Sequence, residues 1–194
     1  LQREVLPRLP ALRAQVVHGD GHADNLLRAG PDTDEIVGVI DFGDMVHAPL
    51  VQDLAVTLAS FARHGEMSLD NAVAQVEAWN AVLPLTDDEL AILHDLTLLR
   101  LATALCLYDF RIRAVDKPPA WLTEERPDIV RALSGFLALD RAEAHERYRA
   151  ACGRARCRTS ARWRRSRGTT RRRARRTRRA WGCGGRWSTR GVKP

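Results

Sequence analysis

The chain has 194 residues, enough for one domain with its own core, and a formal net charge of +7. That charge joins two unlike parts: residues 1–149 hold 14 Lys and Arg against 24 Asp and Glu, while residues 150–194 hold 17 Lys and Arg and no acid. No run of about 18 apolar residues suggests a membrane span, LQREVLPRLPALRAQ has no signal-peptide core, and Cys106, Cys152, Cys157 and Cys183 form no CxxC pair that would read as a zinc site, so the cytoplasm is the expected compartment.

Leu6, Leu9 and Leu12 stand at helical spacing but are broken by Pro7 and Pro10, which predicts a helix end and a linker. The absence of an initiating Met adds the expectation that the chain is a fragment. Gln15-Val16-Val17 is a short apolar run leading into His18-Gly19-Asp20. Leu26-Leu27 is a second apolar pair, Ala29 to Glu35 is rich in turn residues, and Ile36 to Ile40 is β-branched and reads as a buried strand. Two strands around one turn make an antiparallel hairpin, which returns Asn25 and Asp41 to the same open end, with Asp20 on the loop there. Three oxygen-bearing side chains at one place suit a hard cation such as Mg²⁺. Gly19 and Gly43 permit tight turns beside them.

Met45 to Pro49 reads as a loop. Leu50 to Arg63 has helical spacing, with Asp53 in the first turn, where a negative charge suits the helix terminus. Ser68 to Leu83 is a helix with Ser68 as N-cap and Trp79 on its core face. Thr86 to Glu89 is a capping box opening the longest helix, Asp87 to Val115, which is apolar over much of its circumference and central to a bundle. Cys106 reads as a small core residue of that helix. Asp95 and Asp109 are either solvated or ion-paired, or face a substrate ammonium. Thr123 to Leu139, with Pro127 near its start, and the polar Asp140 to Ala151 are the last two helices. The fold class is α+β and mostly helical.

HGD-x4-N at His18 to Asn25, followed by IDFGD at Ile40 to Asp44, resembles the catalytic segment of the aminoglycoside phosphotransferase family of small-molecule kinases. That family is distantly related to the protein kinases, whose catalytic loop has Asp, then Asn five positions on, then Asp-Phe-Gly. GVIDFGDMVHAPLVQDLAV most resembles the hydroxylysine kinase branch and related phosphotransferase segments fused to class III aminotransferases. The resemblance implies the C-terminal lobe of a protein-kinase-like fold. It implies transfer of the γ-phosphoryl group of ATP to a hydroxyl of a small amine-bearing molecule, an amino alcohol or an aminoglycoside. Asp20 would accept or orient the hydroxyl proton, Asn25 and Asp41 would hold Mg²⁺ on the ATP phosphates, and His18 would be scaffolding. Asp53 would help fix the loop. Asp44 would be a second metal ligand or order the loop, and His22 and His47 would touch substrate or serve as ordinary loop histidines. No GxGxxG, Walker pattern or strand lysine occurs, and the only lysines are Lys117 and Lys193. The expectation is a lobe whose N-lobe, or fusion partner, lies elsewhere, with little activity alone. The rival is a kinase-like binding module without catalysis.

Residues 1–151 are therefore read as the lobe and 152–194 as a separate tail. The tail has one aliphatic side chain larger than Ala, Val192, and cannot build a core. It reads as frameshift-derived sequence, given its G- and C-rich codon types, or as a disordered arm whose arginines and tryptophans bind nucleic acid.

Overall fold

Two antiparallel ribbons precede a set of packed helices. The computed structural model describes residues 5–65 and 68–153. Chain contacts divide Leu1–Arg156 from Cys157–Pro194. The second unit, with Cys157, Cys183 and the readings made of the tail, lies outside the described residues.

The chain enters through a 3₁₀ segment, Leu6–Ala11, in place of an α-helix end, with Pro7 and Pro10 inside it. The four strands are β1 (Ala14–Val17), β2 (Leu26–Arg28), β3 (Ile36–Val39) and β4 (Val46–Pro49). β2 and β3 form the expected hairpin, in the register Leu26 to Val39 and Leu27 to Gly38, with an irregularity before Arg28 pairs with Ile36. β4 replaces the loop expected at Met45 to Pro49. It pairs with β1 from Ala14 opposite Pro49 to Val17 opposite Val46. Pro49 sits at the last register position, where a missing N–H is tolerated. In sequence, the β2–β3 hairpin is nested between the two strands of the β1–β4 ribbon.

The expectation that Ile36 to Ile40 is buried fails. Ile36, Val37, Val39 and Ile40 are each more than 40% exposed, and Leu26 and Leu27 are exposed as well. The β-branched run supplies strand propensity, but the described helices do not cover the ribbon.

Helices α1 (Val51–His64), α2 (Leu69–Val82), α3 (Asp87–Ala114) and α4 (Ala120–Ala138) follow, with a last helix, α5, described over 141–153. Asn71 N–H donates to Ser68 Oγ at 3.1 Å, so α2 has its N-cap. Thr86 and Glu89 form the full capping box of α3. Leu54 and Leu58 of α1, Ile92, Leu93 and Leu101 of α3, Phe136 of α4 and Tyr148 of α5 are fully buried together. Trp79 packs against that core. By length and mean hydropathy an 18-residue stretch of α3 would suit a bilayer, although the helix has no uninterrupted apolar run of that length, since Asp95 and Arg100 lie within it. In this fold, however, 56% of that window is buried as the central helix.

Two cysteines correct the sequence reading. Cys106 is exposed, because the C-terminal half of α3 runs past the core. Cys152, assigned to the tail, is buried at the end of α5.

Candidate active site

The loop from His18 to Asn25 is held by α1. Asp53, in the first turn of α1, accepts from the backbone N–H of His18 at 3.0 Å through Oδ2 and from that of Gly19 at 2.9 Å through Oδ1. This is the loop-fixing role implied by the resemblance, achieved with both carboxylate oxygens. Gly19 is required here. Its φ is +80°, and a Cβ would fall 2.3 Å from the Asp44 carbonyl oxygen. That close approach joins the two motifs.

His18 joins them a second time. Its Nε2 lies 3.0 Å from the Ile40 carbonyl oxygen and its ring tilts against Phe42, with centroids 5.2 Å apart. A third link is the hairpin itself: Ile40 N–H donates to the Asn25 carbonyl oxygen at 3.0 Å. Asn25 and Asp41 therefore flank the same open end. Asn25 is buried and its Nδ2 donates to the Asp20 carbonyl oxygen at 2.9 Å, which leaves Oδ1 as the atom free for a cation. Asp41 is exposed, and its backbone is left-handed, with φ 60° and ψ 65°. The left-handed residue of the second motif is thus Asp41 and not Gly43, where a Cβ would meet only Asp41 Oδ1 at 3.4 Å. An amide oxygen and a carboxylate are hard donors that fit Mg²⁺, which takes one or two protein ligands and completes its shell with phosphate and water. Among the described residues no three His, Cys, Asp or Glu side chains gather as a metal site.

The Asp20 carboxylate is engaged at both oxygens. Arg100 Nη2 of α3 donates to Oδ1 at 2.8 Å, and His22 Nε2 lies 3.2 Å from Oδ2. Both partners are partly buried. Asp20 opens into a cavity of ≈ 330 Å³. Its walls include His22, Asp44, Arg63, Arg100, Tyr108 and Trp121. Arg63 Nη2 donates to Tyr108 Oη at 3.2 Å and to Glu125 at 2.9 Å, and Tyr108 Oη donates to Glu125 Oε2 at 2.6 Å. Burial, and then the bond to Glu125, push the Tyr108 hydroxyl above its ordinary range.

His22 therefore stands beside Asp20, whereas His47 is an exposed residue of β4. Asp44 lines the cavity. The two acids considered for a substrate ammonium are ion-paired elsewhere: Asp95 with Arg141 and Asp109 with Arg126. Sequence reasoning missed Arg63, Arg100, Tyr108 and Trp121. The available signal was polar residues at 100, 108 and 111 of a largely apolar helix, one stripe around Ala104.

Residues 1–85 match the Phosphotransferase enzyme family. The chain is 29% identical over 149 residues to hydroxylysine kinase of Danio rerio, covering 76% of this chain and 42% of that protein. It is 35% identical over 76 residues to homoserine kinase of Methylobacillus flagellatus, covering 38% of this chain and 23% of that protein. The chain spans less than half the length of these relatives, both of which are small-molecule kinases. Residues 1–85, which hold both motifs, are thus similar to the phosphotransferase enzyme family.

Proposed function

We propose that the protein is the catalytic and acceptor-binding part of an ATP-dependent small-molecule kinase, corresponding to the C-terminal lobe of a protein-kinase-like fold. It transfers the γ-phosphoryl group of ATP to a hydroxyl of a small amine-bearing molecule. The names of its relatives, hydroxylysine kinase and homoserine kinase, favour a hydroxy-amino compound over an aminoglycoside. The observation that carries the reading is Asp20 at the mouth of a polar cavity, on a loop stapled by Asp53 and tied to Asp41 through the hairpin.

In this reading Asp20 orients the acceptor hydroxyl and takes its proton as the oxygen attacks phosphorus. Asn25 Oδ1 and the Asp41 carboxylate hold the divalent cation. Bound Mg²⁺ neutralises charge on the phosphates, which is much of the work in phosphoryl transfer. Asp53, Gly19 and His18 fix the loop, so the base needs no reordering when the acceptor arrives. The glycine-rich turn and strand lysine that cover the nucleotide in kinases are not among these 194 residues. Full turnover accordingly needs such a segment, in cis or from a partner chain.

The test is ATP binding by calorimetry with and without Mg²⁺, with phosphotransfer to hydroxy-amino acids measured in parallel. Weak, Mg²⁺-dependent binding that is lost in Asp41→Asn, together with turnover lost in Asp20→Asn, is expected. Phosphotransfer that continues unchanged in Asp20→Asn removes the assignment of the base.

A further inference from the structure

We propose that the cavity beside Asp20 takes an acceptor that carries a carboxylate as well as its hydroxyl, and that Arg111 is the residue that binds this carboxylate. The hydroxyl end rests on the phosphotransferase reading. The carboxylate end rests on the charges of the cavity.

One wall of the cavity is a stripe of α3: Arg100, Ala104, Leu107, Tyr108 and Arg111. These positions fall three or four apart and so share a helix face. Arg100 and Arg111 are eleven residues apart, roughly 16 Å along the axis, so they mark the two ends of the wall. Ala104, between them, leaves the space open.

The guanidinium groups around this space are not equivalent. Arg100 is matched by Asp20, and Arg63 by Glu125. Arg111 lines the same cavity and makes no hydrogen bond or ion pair with any described side chain. The remaining acids of the wall, Asp24 and Asp44, belong to the motif end: Asp24 Oδ2 is 3.3 Å from His22 Nδ1, and the Asp44 backbone abuts Gly19. The end away from Asp20 thus has one unbalanced cation beside Tyr108 and Trp121, whose rings meet edge to face at 5.9 Å. A planar fork of donors next to aromatic walls is the recognition chemistry for a carboxylate on a small organic chain. Glu125 Oε1, with no hydrogen bond among the described residues, offers an acceptor for an ammonium on the same molecule. A zwitterionic hydroxy-amino acid fits these groups, whereas a polycation places charge against Arg111.

Calorimetric titration of the full chain with two probes tests this. One is 5-hydroxylysine. The other is 1,5-diaminopentan-2-ol, the same molecule without its carboxylate. The expected result is about tenfold tighter binding of 5-hydroxylysine, the scale of one charge-assisted pair. Arg111→Gln erases the difference with an unchanged melting temperature, because the side chain holds nothing in the fold, and Arg111→Lys keeps part of it. Equal affinity for the two probes, binding of neither, or a preference that survives Arg111→Gln overturns the proposal. Phosphotransfer is read separately. A preference that depends on Arg111 without any Mg²⁺-dependent ATP binding leaves this inference standing and removes the kinase reading. Equal phosphorylation of both probes does the reverse.

Discussion

Arg100 and Asp20, eighty residues apart in the chain, are joined by a hydrogen bond of 2.8 Å from Nη2 to Oδ1. The bond crosses from the central helix to the motif loop, so the bundle holds the side chain of the proposed base while Asp53 holds the backbone just before it. With Arg100 on one oxygen and His22 on the other, the carboxylate has one orientation toward the cavity. Asp20→Asn keeps the shape and loses the base, and turnover falls roughly 100-fold or more, the usual contribution of general base catalysis. Arg100→Gln leaves the base but frees its rotation, so kcat falls by a smaller factor and Arg100→Lys restores part of it. Steady-state kinetics on the three variants, with the nucleotide-covering segment supplied, decide this. An Arg100→Gln protein with unchanged kcat argues against the positioning role.

Asp53 supplies the second constraint. Its two oxygens accept from consecutive backbone N–H groups, which have no other acceptor in the loop. Asp53→Ala strands both donors, and a loss of about 2–3 kcal/mol in urea unfolding is expected from two charge-assisted bonds. Asp53→Asn retains one acceptor and loses less. Equal unfolding midpoints for wild type and Asp53→Ala would show that the loop is held without the staple.

Asp41 separates backbone from chemistry. Its left-handed conformation costs an L residue energy that glycine does not spend. Asp41→Gly therefore keeps stability within about 1 kcal/mol of the parent. It removes the carboxylate and with it Mg²⁺-dependent ATP binding. Binding that persists in Asp41→Gly places the cation on other groups.

These residues also show what the sequence could and could not convey. The spacing from Asn25 to Asp41 announced a hairpin because turn residues separate two short apolar runs, and strand register is local. The capping box at Thr86 and the N-cap at Ser68 are likewise contacts within one turn, so they were legible. β4 was not, because its pairing with β1 is a long-range choice and its sequence, Val46 to Pro49, has a proline and no alternation. The exposure of Ile36 to Ile40 was misread because a β-branched run reports strand propensity and not what covers it. From the residues alone Asp53 looked like an ordinary helix-terminus acid, since its partners lie 34 and 35 residues back in the chain, and only the resemblance implied its hold on the loop. Arg63, Arg100 and Tyr108 were illegible for the same reason: a cavity wall is assembled from helices whose rotation no single periodicity reports.

Glu89 combines a cap with a tertiary bond. It is fully buried and accepts from Thr86 N–H at 2.8 Å and from Arg13 Nε and Nη2 at 3.0 and 2.6 Å. Arg13 thereby ties the segment before β1 to the start of α3, and the bond to Glu89 raises the pKa of its guanidinium. Arg13→Ala leaves a buried carboxylate with only its capping partner, and a loss of about 2 kcal/mol is expected, less than for a fully enclosed pair because Arg13 is partly exposed. Glu89→Gln keeps the cap in part, and the double variant loses less than the sum of the two. Chemical unfolding of the cycle checks the coupling, and strictly additive losses would mean the pair contributes nothing of its own.

His94 gives the fold a specific acid sensitivity. It is 5% exposed, stacks obliquely on Phe136 at 5.7 Å, and its Nδ1 has no hydrogen-bond partner. Burial lowers its pKa, which Asp95 and Asp140 oppose and Arg141 reinforces. The folded state thus takes up a proton on His94 less readily than the unfolded chain, which protonates it near pH 6.5. Below that pH the unfolded state binds the extra proton, so stability is present above about pH 6.5 and is lost as pH falls through the depressed folded value. Replacing His94 by Leu removes the proton uptake and keeps an apolar neighbour for Phe136. Unfolding free energies measured at pH 7.5 and pH 5.5 should therefore fall more steeply for wild type than for His94→Leu. Histidines and carboxylates away from His94 titrate equally in both proteins and cancel in the difference. Parallel pH profiles would mean that His94 takes up its proton equally in the folded and unfolded states.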